Sequence, residues 1–140
     1  MFKKKDKDKS SILDTFNSQV SKIIKLIDKY LPKNNDVTHI KRLVKIANET
    51  NALLMLEKCE DKFWENKNNI MDRNIDFFKN NTFDEYIDDD EYKPLINRLI
   101  VLMKETYDKL NDDDKECLWN RINIMLNCII NYKLIKGNHK

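Results

Sequence analysis

The chain has 140 residues, with 26 Lys and Arg against 24 Asp and Glu, 41% hydrophobic residues and three cysteines. That length suits one domain, which buries roughly 70% of its unfolded surface without disulfides or metal. A net charge of +2 gives no strong polyanion preference from the total alone, and one glycine with two prolines is too few for turn-rich sandwiches or barrels. Long helices with few connections are the expectation.

In chain order, residues 1–9 read as a flexible basic arm, with Lys3, Lys4, Lys5, Lys7 and Lys9 interleaved by Asp6 and Asp8. A first helix is predicted from about Ser10 to Leu31. Ile12, Phe16, Val20, Ile23, Ile24, Ile27 and Leu31 recur there at three- and four-residue steps. Pro32 ends it. Asp36 is the predicted cap of a second helix, whose buried side is Ile40, Leu43, Val44, Ala47 and Leu54. The pattern runs on towards Cys59, Phe63 and Trp64, with a break near residues 67–69 before a third helix over 70–79. Residues 80–93 form an acidic irregular segment, and Pro94 suits the first turn of a fourth helix. That helix buries Leu95, Leu99, Leu102, Met103, Thr106, Tyr107 and Leu110. Asp112, Asp113 and Asp114 then cap a fifth helix and favour its positive dipole end. Gly137 is the predicted left-handed stop, and 138–140 is a tail.

Twelve of the eighteen residues from Leu118 to Ile135 are apolar or aromatic. A broad arc of the fifth helix holds Leu118, Trp119, Ile122, Met125, Leu126, Cys128, Ile129, Ile130 and Tyr132. The narrow remainder holds Asn120, Asn123, Asn127 and Asn131, where a surface helix would carry Lys and Glu. The expectation is therefore an all-α single-domain bundle of four to five helices, with this apolar C-terminal helix at the centre. The Asn strip either faces a polar seam inside the fold or contacts another chain, with Ile124 beside it as a test of self-association.

Chemistry-bearing patterns are sparse. Six carboxylates within residues 84–91 lack the EF-hand spacing and its glycine, and read as a solvated acidic loop. Cys59, Cys117 and Cys128 form no C-x-x-C pair and fall on apolar helical faces, as buried reduced thiols of an intracellular protein. His39 and His139 have no partner at ligand spacing. A single glycine rules out Walker and dinucleotide loops. No enzyme activity, cofactor, metal or small-molecule substrate is expected, and no run of apolar residues reaches the length of a transmembrane helix. Trp64 and Trp119 are core residues or, if exposed, anchors of a protein interface. The lysines of the arm are candidate phosphate contacts.

The segment 95–135, "LINRLIVLMKETYDKLNDDDKECLWNRINIMLNCIINYKLI", joins an apolar helix, a short acidic link and a Trp-bearing apolar helix. It resembles small helical proteins of nucleocytoplasmic large DNA viruses. The wider bias towards Asn, Lys and Ile, 18, 22 and 16 residues, is similar to theirs. The resemblance carries no site residue across. It implies a non-enzymatic viral structural or interaction protein in the host cytoplasm or the virion, such as a minor virion component bridging other proteins. The alternatives are a nucleic-acid-associated protein using its basic arm, or a host-factor antagonist. The antagonist would bind an amphipathic helix, by analogy with the architecture of viral Bcl-2-like proteins.

Overall fold

The computed structural model describes residues 2–80 and 93–137, with side chains for 8–80 and 98–137. Among these residues are seven helices and no strand, an all-α fold. They are α1 (Phe2–Tyr30), α2 (Asn35–Thr50), α3 (Leu54–Glu65), α4 (Lys67–Met71), α5 (Ile75–Asn80), α6 (Lys93–Tyr107) and α7 (Asp112–Gly137). The acidic stretch 84–91 and the tail 138–140 lie outside the described residues.

The helix starts differ from the sequence expectation at the N-terminus. Residues 2–9, read as a flexible arm, are the opening turns of α1. No glycine or proline interrupts them, and Lys and Asp recur at the three- and four-residue spacings that favour a helix, as in Lys3–Asp6 and Lys4–Asp8. Downstream the stripe behaves as its periodicity requires: Phe16, Val20, Ile23, Ile24 and Ile27 are buried. Lys33, at φ 62°, turns the chain after Pro32.

Seven helices replace four or five because asparagine punctuates the chain. Asn34, not Asp36, caps α2, its side-chain oxygen accepting from the N–H groups of Asp36 (2.8 Å) and Val37 (3.2 Å). Asn51 ends α2 in an extended conformation, and its Oδ1 accepts from Leu53 N–H at 3.0 Å. Asn66 separates α3 from α4, its amide donating to the Lys62 carbonyl at 2.9 Å. The expected third helix breaks at 72–74, where Arg73 has φ 54° and Asn74 Oδ1 accepts from Phe77 N–H at 3.1 Å. Asn111, rather than the aspartates after it, caps α7 by accepting from Asp114 N–H at 2.8 Å. A short amide side chain offers the backbone a partner that competes with the helical carbonyl, so Asn favours caps and turns over helix interiors. Gly137 is not left-handed; it is the last helical residue.

α1 and α7 run antiparallel along each other. The end of α1 meets the start of α7, where Asp114 accepts from the Tyr30 hydroxyl and from Lys29 Nζ at 2.9 Å. The Tyr30 and Lys29 bonds hold the Asp114 carboxyl below its usual range. Further along, Arg121 donates to Gln19 Oε1 at 3.3 Å. Leu118, Ile122, Met125 and Ile129 are buried, each removing apolar surface worth about 1.5–3 kcal/mol. α7 is flanked chiefly by α1, α3 and α4, while α2 packs on α1, α3 and α6.

Candidate functional site

α7 leaves a narrow strip to solvent. Between Glu116 and Lys136 its exposed residues are Asn120, Asn127, Asn131 and Leu134, and none is charged. At 100° per residue they share an arc of roughly 60°, and at 1.5 Å per residue they span about 21 Å. Leu134 is 62% exposed, more than any other large apolar residue among those described.

The two readings of the Asn strip divide along its length. Near the start of α7 the asparagines form a polar seam with α4 and the turn after it. Asn120 Oδ1 accepts from Arg73 Nη2. Asn123 is half-buried and donates to the carbonyls of Ile70 (3.2 Å) and Trp119 (3.0 Å). Further on, Asn127 and Asn131 face solvent. Ile124 is half-buried and packs against the core, so it lies beside the strip and not on its crest.

The two tryptophans separate. Trp119 is buried, donates from Nε1 to the Tyr107 hydroxyl at 3.0 Å, and meets Phe78 and Tyr107 edge to face. It is a core residue, 7% exposed, too little to anchor an interface. Trp64 on α3 is 38% exposed. Its ring lies near two ammonium groups, Lys67 Nζ at 4.2 Å and Lys133 Nζ at 5.0 Å from the centroid, a geometry that attracts cations to the ring face.

Lys133 also reaches Glu60, at 3.3 Å, and Lys136 binds both Glu60 oxygens at 2.8 and 3.0 Å. The Glu60 side chain is 9% exposed. Burial pushes its carboxyl up, but the bonds from Lys136 and Lys133 outweigh that and leave it below the ordinary value. Sequence reading missed this cluster. Its signal was weak: at helical spacing Glu60 falls between Leu56 and the pair Phe63 and Trp64.

Sequence reading also missed a partly open apolar cavity of about 120 Å³ among α1 and α3–α7, whose walls include Cys59, Phe63, Ile70, Phe78 and Trp119. Burial raises the Cys59 thiol to about 12, so its nucleophilic form is suppressed. Cys128 is raised by burial as well.

Among the basic candidates, the side chains of Lys3, Lys4, Lys5 and Lys7 lie outside the described residues, and Lys9 is half-buried on α1. Among the described residues, no group of three or more His, Cys, Asp or Glu is placed to hold a metal ion. No described helix is long and apolar enough to cross a membrane. Comparison with family models, with curated proteins and with solved structures finds no match for this chain.

Proposed function

We propose that the chain is a non-enzymatic interaction protein that presents the outer strip of α7 to a protein partner. The observation that carries this reading is the uncharged exposed row Asn120, Asn127, Asn131 and Leu134 in a chain that is 36% charged. Depletion of charge is the compositional mark of an interface centre. Trp64, half-open beside Lys133, supplies an aromatic residue of the type that anchors such contacts. The likeness of residues 95–135 to proteins of large DNA viruses adds the setting: a minor virion component that bridges larger proteins.

The test has two parts. Mass spectrometry of purified particles should find the chain, and cross-links from Lys133 and Lys136 should reach other particle proteins. Asn127→Glu with Asn131→Glu should abolish those cross-links while circular dichroism stays unchanged, since both positions are exposed. Absence of the chain from particles removes the virion role. Cross-links that survive the double substitution remove the α7 strip.

A further inference from the structure

The formal charge of +2 hides a strong segregation. Residues 15–49 carry seven basic and three acidic side chains, a net +4, so the rest of the chain is net −2. All seven of these bases, Lys22, Lys25, Lys29, Lys33, Lys41, Arg42 and Lys45, are exposed. Six lie on α1 and α2, and Lys33 lies in the turn between them. On α1, Lys22, Lys25 and Lys29 recur at three- and four-residue steps, so they share one face. On α2, Lys41 and Lys45 lie four apart and share another.

Lys25 of one face and Lys41 and Lys45 of the other line an open groove of about 510 Å³ between α1 and α2, with Ser21, Asn48 and Glu49 over a floor of Ile24 and Val44; Lys22 and Lys29 lie outside that lining. Carboxylates take up part of this field: Asp28 pairs with Lys41 at 2.7 Å, Asp114 of α7 with Lys29 at 2.9 Å, and Glu49 stands at one end, while Asp36 is taken by Arg98 of α6 at 2.6 Å. Lys25, Arg42 and Lys45 make no ion pair among the described residues.

We infer that the α1–α2 groove binds the phosphate backbone of double-stranded DNA without reading its sequence. With Lys29 and Lys41 paired to carboxylates, Lys25 and Lys45 are the groove cations open to phosphate. The groove's cationic groups are donors only, matched to phosphate oxygens. No aromatic side chain lines it, so it offers no platform for stacking unpaired bases. Its apolar floor is buried, with Ile24 at 4% and Val44 at 3% exposure, so it presents no anchor for insertion into a lipid surface. The site contains no residue of the α7 strip and stands independently of the protein-interaction reading.

The experiment is fluorescence anisotropy of a labelled DNA duplex against the full chain over a range of salt concentrations. Each phosphate contact contributes about 0.9 to the slope of log K against log salt. Lys25→Gln with Lys45→Gln should therefore flatten the slope by about 2. The control Lys109→Gln, an exposed lysine after α6, should leave it unchanged. Both positions in the groove are exposed, and unchanged circular dichroism will show that the fold survives. No binding of the duplex by the wild type, or an equal slope in the groove variant and the control, overturns the proposal. So does tighter binding of a single strand, of duplex RNA, of a labelled polyglutamate peptide or of anionic vesicles, each of which would place a different polyanion in the groove.

Discussion

Glu60→Gln tests whether the contact between α3 and the end of α7 depends on a charge. The substitution keeps shape and one acceptor oxygen but removes the carboxylate that takes three hydrogen-bond contacts from Lys133 and Lys136. Charge-assisted bonds are roughly twice as strong as neutral ones, whose net contribution is about 1 kcal/mol. The lysine side chains are 28% and 46% exposed, so water screens part of the gain and receives both ammonium groups once the carboxylate is gone. The expected loss is about 1–2 kcal/mol at pH 7, well short of the penalty for stranding a buried charge. Glu60 titrates below its ordinary value in the fold. Its contribution is then complete above the unfolded value of about 4.3 and is lost as pH falls through the folded value. Urea unfolding followed by helical circular dichroism at pH 7 and again near pH 3 should show the gap between wild type and variant closing in acid. Equal stabilities at pH 7 would refute the reasoning, as would a gap that is undiminished in acid.

Asn111→Ala should lower stability by about 1 kcal/mol, the usual value of a helix cap. Asp113→Ala, which removes an exposed first-turn charge, should matter less and only at low salt; the reverse ranking in thermal melts would return the cap to the aspartates. Tyr107→Phe removes the acceptor of the buried Trp119 Nε1–H, an unsatisfied donor that costs about 1–3 kcal/mol; an unchanged unfolding midpoint would show that water replaces the hydroxyl. With its thiol pushed up to about 12, Cys59 should resist alkylation at pH 8 in the native protein and react once urea unfolds it. Peptide mapping of the labelled cysteines would expose an error if Cys59 reacts at once.

How far the chain's order can be read from its letters varies by element. The stripes of α1, α2 and α7 were legible because an apolar residue every three or four positions has few ways to leave water except along one helical face. The scarcity of glycine and proline likewise pointed to helices. The helix count was less legible. Asn51, Asn66 and Asn74 read as members of a compositional bias, because an asparagine competes with a helix only when its amide finds a nearby backbone partner. The arm was misjudged for the opposite reason: polar residues at helical spacing carry no apolar stripe, yet nothing in them forbids a helix.

Residue types and their period alone therefore determined the all-α class, the buried sides of the long helices and the unusual asparagine row. Only tertiary packing decided what that row faces, half seam and half solvent. It also sent Trp119 inward while leaving Trp64 at the surface, joined Glu60 to two lysines more than seventy positions away, and brought Lys25, Lys41 and Lys45 to one groove. Each of these depends on which helices lie side by side, and helix periodicity fixes the face a residue occupies but not the neighbour that face will meet.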